Sequence, residues 1–201
     1  MLTFGVPDPG VLDVVGGIPV DFMPFGAQLE EPPGTLTPPP HKEGWTVAGF
    51  QDVHRHAQDV DIGPREVTVR MPSPAGYTAL KLRSWAVRAA LHDTKDARDL
   101  AVACHWYTES EAVRTELYET DRGQRLLMEH DFDQDLAAVA LLSREVATIF
   151  STPVRIELAA DLRNADAALL AGRFTTAPQL FLTSDVRRRQ ALIAALLSAV
   201  T

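Results

Sequence analysis

The sequence predicts an α+β fold in which a small β-rich unit precedes a run of helices. Three observations carry this. Residues 1–45 are rich in Gly and Pro and hold short β-like pieces. Residues 66–71 alternate apolar and polar side chains. From Ser73 onward the apolar residues recur at helical spacing. The expected division is a partial sheet over 1–72 and a helical region over 73–201.

The elements follow in order. Gly16-Gly17 reads as a tight turn joining strands Val11–Val15 and Ile18–Phe25. Glu30 to Pro40, EEPPGTLTPPP, is too proline-dense for a helix or a central strand and reads as a loop. HRHAQDVD, from His54, reads as a short helix and turn. In Glu66–Met71, Val67, Val69 and Met71 are expected to face a core, with Glu66, Thr68 and Arg70 outward. Ser73-Pro74 is an N-cap followed by proline in the first turn, opening a helix to about Leu91. Further helices are expected from Asp93 or Thr94, over Ser110 to Tyr118, over Asp133 to Phe150, after Pro153, and from Ser184 to near the end.

The composition restricts function. The 201 residues include 27 Asp and Glu against 19 Lys and Arg, a net charge of −8. General nucleic-acid binders are usually basic, so any such contact here needs a local patch. The apolar stretches are too short and interrupted to cross a bilayer, and the first residues show no secretory pattern. The single cysteine, Cys104, excludes an internal disulfide, and a reducing cytoplasm is the expected location.

Three segments hold the candidate chemistry. In GIPVDFMPFG, Asp21 sits between apolar neighbours; it is either a strand-edge carboxylate in water or one that is paired or bound to a metal. In ALKLRSW, Lys81, Ser84 and Arg88 share a helical face while Arg83 projects elsewhere. That face suits solvent, a triphosphate or an RNA backbone. In KDARDL, Asp96 and Asp99 lie side by side near a helix start, as a capping pair with Lys95 and Arg98 or as site carboxylates.

Taken in order, these segments resemble the AbiEii/AbiGii-type, MenT-like nucleotidyltransferase toxins. The resemblance covers roughly Gly17 to Leu100: the VDFMPFG strand, a proline-bearing loop, Ala48-Gly49-Phe50 leading into Gln51-Asp52-Val53, a strand, the helix with AGYTALK, and then KDARDL. It implies a small mixed β-sheet of nucleotidyltransferase type followed by a helical bundle. It also implies an enzyme that transfers a nucleotide, often a pyrimidine, from an NTP to the 3′ end of tRNA and so blocks translation. Mg²⁺ or Mn²⁺ is the implied cofactor, and a cognate antitoxin, tRNA and NTP are the implied partners, with no membrane. By this resemblance Asp21 is the metal carboxylate, Lys81 neutralises the triphosphate, and Asp96 orients Lys81 or completes the site. Asp99 and Arg83 are supporting residues. The family's G-S-x-x-x-T-x-D motif is missing ahead of Asp21; Asp13, on the expected hairpin partner, is the nearest substitute. That departure implies either an earlier start to the chain or a non-catalytic nucleotidyltransferase-fold binding module.

Three other features are expected to be structural. His54 and His56 with Asp59 and Asp61 lack metal-site spacing. Cys104-His105 reads as a buried thiol beside a surface histidine, and Arg187–Arg189 as a solvated first turn.

Overall fold

The computed structural model describes residues 5–8, 11–14, 18–21, 23–26, 28–36, 45–63, 67–89, 94–175 and 185–201. The chain divides into two compact units, Met1–Gln51 and Asp52–Thr201. The division falls earlier than the expected 72/73 boundary, because the chain from Asp52 is already bonded into the helical unit, as shown below.

In the first unit, β1 (Gly5–Asp8), β2 (Val11–Val14) and β3 (Ile18–Asp21) form an antiparallel sheet in that order. Val11 pairs with Asp21 and Val14 with Ile18, so β2 and β3 are the expected partners. Gly16-Gly17 lies outside the described residues. β3 is shorter than the expected strand to Phe25, and Pro24, which has no N–H to give a ladder, stands in the irregular segment after it. In the proline-dense segment, the Glu30 carboxylate accepts from the Gly26 and Gly34 amides, each at 2.8 Å. The segment is not wholly loop: β4 (Thr35–Leu36) pairs antiparallel with β5 (Trp45–Thr46).

Helix α1 (Phe50–Arg55) leads into the second unit, where β6 (Gln58–Ile62) and β7 (Val67–Met71) form an antiparallel hairpin. Two expectations change here. HRHAQDVD ends its helix at Arg55 and continues into β6. Val67 and Met71 do not reach a core; they are 52% and 46% exposed, because the hairpin has only two strands and one face stays open. The described strands therefore make three small antiparallel sheets in place of one mixed sheet. The α+β class stands, with helix dominant.

Eight further helices follow among the described residues: α2 (Pro74–Arg88), α3 (Lys95–Thr108), α4 (Glu111–Glu119), α5 (Asp121–Glu129), α6 (Gln134–Ile149), α7 (Thr152–Asn164), α8 (Ala167–Arg173) and α9 (Val186–Leu197). The Ser73 hydroxyl accepts from the Gly76 amide at 3.1 Å and caps α2, as its Ser-Pro start predicts. α6 is the axis. Residues 137–143 are buried all round rather than along one stripe, and α2, α3, α4, α5 and α9 pack on it. Its buried Ser143 hydroxyl accepts from the Ala199 amide at 3.0 Å and fastens the C-terminal turn. Arg188 on α9 bonds both Asp133, the N-cap of α6, and Asp135. The Arg188 hydrogen bond holds the Asp133 carboxyl below its ordinary range against the opposing effect of burial. Arg187–Arg189 is thus not a simple solvated turn.

Helices α5 and α8 are absent from the sequence expectation. α4 and α5 meet at Thr120, whose hydroxyl accepts from the Gly123 amide at 3.0 Å. A Cβ on Gly123 would lie 2.1 Å from the Glu116 carbonyl oxygen and 2.4 Å from Leu117 Cα, so only glycine fits. Gly123→Ala is expected to cost about 3 kcal/mol, the upper range for forced overpacking, read as a lowered urea midpoint. A midpoint shift within error would contradict this close approach.

Candidate functional site

The site grows from the packing of α2 on α3. Near the start of α3, Asp96 and Asp99 are one turn apart and so face the same way. On α2, Lys81 and Arg88 are two turns apart and share a face. Where the faces meet, Lys81 Nζ lies 2.5 Å from Asp99 Oδ2 and 3.4 Å from Asp96 Oδ1. Arg88 Nη1 lies 3.3 Å from Asp96 Oδ2.

Burial differs sharply within this quartet. The Asp96 side chain is 0% exposed, whereas Lys81 is 25%, Asp99 37% and Arg88 40% exposed. A buried carboxylate must be paired, and Asp96 meets that demand with one cation on each oxygen. The Tyr77 ring, one turn before Lys81, has its centroid 5.6 Å from Nζ, within cation–π range. Burial pushes the Tyr77 hydroxyl up, with the Lys81 charge opposing. For Lys81, burial pulls the ammonium down, but the hydrogen bond and charge of Asp99 outweigh it and leave the pKa above the ordinary value. Lys81 is therefore a fixed ammonium. It can bind and orient an anion, but it cannot serve as a base at neutral pH.

The other candidates divide. Arg83 does not join the cluster. It points to α7, with Nη2 2.9 Å from Glu157 and Nη1 3.8 Å from Asp161. Asp21 ends β3 and Asp13 lies in β2 opposite Pro19; both belong to the first unit, and their side chains lie outside the described set. Arg88 carries half of the Asp96 pairing, and only its position on the Lys81 face signals this in sequence.

A second polar contact fixes the chain that enters this unit. Asp52 is 4% exposed, and its Oδ2 accepts from both the amide and the hydroxyl of Ser151, each at 2.9 Å. Its Oδ1 is 3.0 Å from Arg55. Asp52 thus anchors α1 to the start of α7. Its partners fix it as a structural carboxylate.

No group of three or more His, Cys, Asp or Glu side chains with metal-binding arrangement occurs among the described residues. Asp59 and Asp61 are engaged by Arg70 and Thr68, and a His56 ring nitrogen lies 2.9 Å from the Asp52 carbonyl oxygen. Cys104 is buried and its thiol is pushed up to about 12, so it stays protonated and is a poor nucleophile. No described helix is long and apolar enough to cross a membrane. Comparison with protein-family models, curated proteins and solved structures finds no match.

Two predictions follow from the burial contrast. Asp96→Ala removes the buried carboxylate that pairs both Lys81 and Arg88 and is expected to cost about 3 kcal/mol, the low end for a broken buried pair because both cations reach water. Asp99→Ala is expected to cost under about 1 kcal/mol. Equal urea midpoints for the two variants would overturn the assignment. The pH dependence follows from Lys81. Its raised folded pKa means that the stability it contributes is fully present below the unfolded value of 10.5 and is lost as pH rises through the folded pKa. Lys81→Met should remove that alkaline component from a pH series of thermal melts.

Proposed function

We propose that the chain is a nucleotidyltransferase of the toxin type, moving a nucleotide from an NTP to the 3′ end of tRNA and restrained by a cognate antitoxin. The observation that carries the reading is the Lys81 ammonium, held by Asp96 and Asp99 where α2 packs on α3. It joins the ordered resemblance of VDFMPFG, AGYTALK and KDARDL to one family.

The cluster supports a division of labour. Asp96 is buried and keeps Lys81 in place. Asp99 is partly solvated, and an exposed pair of this kind is worth about 0–1 kcal/mol, so a phosphate oxygen can take its place on Lys81 at small cost. Lys81 then offsets charge on the triphosphate without giving up a proton. The helical cluster does not fit a metal. Both Asp96 oxygens are taken by cations, and Asp99 alone offers too few ligands. In this proposal Mg²⁺ or Mn²⁺ depends on Asp21 in the first unit, by resemblance.

A second reading has its own support. The two cations and two carboxylates cancel, which is what a structural tie between α2 and α3 requires with no ligand present. On that reading the chain is a non-catalytic binding module of the same fold.

The test is transfer of label from each of the four α-labelled NTPs to tRNA in Mg²⁺ or Mn²⁺. The expected result is labelled tRNA 3′ ends, with Lys81→Ala reducing the rate about 100-fold or more while the variant keeps a cooperative melt. No labelling by the wild-type chain, or unchanged labelling by Lys81→Ala, sinks the enzyme. NTP binding without transfer selects the binding module.

A further inference from the structure

On the second unit, the end of hairpin β6–β7 and helices α2 to α6 enclose a cleft of about 780 Å³. That lies within the usual range for small-molecule sites, about 300–1,000 Å³. Its rim carries three large apolar side chains left in water: Met71 at 46%, Tyr77 at 38% and Trp106 at 64% exposed. Its walls include buried Val113 and Leu141. Such a patch beside a concavity marks a binding surface more often than scattered single exposures do.

The polar groups of the cleft set the charge of its occupant. Arg122 is already neutralised, with Nη2 2.8 Å from Glu116. Glu145, in the cleft lining, has no cation within salt-bridge distance among the described residues, and its charge acts on the neighbouring Tyr107. Burial, then the charge of Glu145, push Tyr107 far above the ordinary tyrosine value, so its hydroxyl stays neutral. Of the other titratable groups in the lining, Glu116 on α4 and Arg122 on α5 form a closed pair, and Tyr107 on α3 is neutral. The lining therefore has a surplus of one negative charge, and Tyr77, Tyr107 and Trp106 line the same cleft.

We propose that this cleft binds a small molecule with an aromatic or aliphatic body and one cationic nitrogen. The body fills the apolar walls between Met71 and Trp106, and the nitrogen meets Glu145. An anion is repelled by the same carboxylate, and a neutral congener gains only the apolar contact. The proposal is independent of nucleotidyl transfer, because Lys81, Asp96 and Asp99 do not line the cleft.

Three probes with one ring system separate the contributions: 2-(2-naphthyl)ethylamine, 2-(2-naphthyl)ethanol and 2-naphthylacetate. Binding to the wild-type chain is measured by isothermal titration and by saturation-transfer NMR. The amine is expected to bind about tenfold tighter than the alcohol, as one carboxylate and cation–π contact allows, and the carboxylate weakest. Glu145→Gln should bring the amine down to the alcohol and leave the alcohol unchanged. Trp106→Ala should weaken amine and alcohol together. No binding by the wild-type chain up to the solubility of the probes, equal binding of all three, or a preference for the carboxylate overturns the proposal, whatever the variants do. An amine preference that survives in a folded Glu145→Gln protein also overturns it.

Discussion

Burying a carboxylate imposes the strictest demand in this molecule. Asp96 has no contact with water, so the fold must bring cations to both of its oxygens. Lys81 and Arg88 do so from α2, and the two-turn spacing between them sets how α2 lies on α3. Tyr77, one turn before Lys81, is placed by the same packing, and its ring both faces the ammonium and borders the cleft. A single desolvated charge thus positions the ammonium at the centre of the proposed function and one wall of an independent binding site.

The remaining polar fasteners act at helix ends, while the apolar core fills the space between. Asp52 holds the start of α7, Asp133 holds Arg188 of α9, Ser143 holds the last turn, and Thr120 caps α5. Each answers backbone or charged groups that helix ends leave without partners. α6 supplies the shared apolar surface, so these contacts select one arrangement of helices around an axis that hydrophobic burial already favours.

Much of this was legible in sequence where local chemistry decides structure. The Ser73-Pro74 start, the Asp133 start, the pairing of β2 with β3 and the common face of Lys81 and Arg88 all follow from spacing and cap preference. The failures have one physical source, the dependence of local patterns on distant partners. The alternation in Val67–Met71 is real, but alternation cannot say whether anything covers the apolar face. α5 was hidden because a glycine in DRGQR weakens the local helical signal, and only the close approach of α4 shows why Gly123 is required there. Arg83 and Lys81 sit two residues apart in similar surroundings, and only the positions of α3 and α7 assign one to Asp96 and the other to Glu157. The cleft draws on seven elements, and no single segment of sequence announces it.

The Asp52–Ser151 contact also bears on the order in which the second unit assembles. It joins residues 99 apart, whereas α2 with α3 and α4 with α5 are near neighbours in the chain. Closing a loop of that length costs about 4 kcal/mol in chain entropy before any helix pairs have shortened it. Helix pairs that meet through short connections bear little of that cost, so they form first and bring Ser151 within reach. The segment from Asp52 docks afterwards, and it is the natural place for the folded unit to open, releasing α1 and its hairpin while the bundle around α6 stays closed.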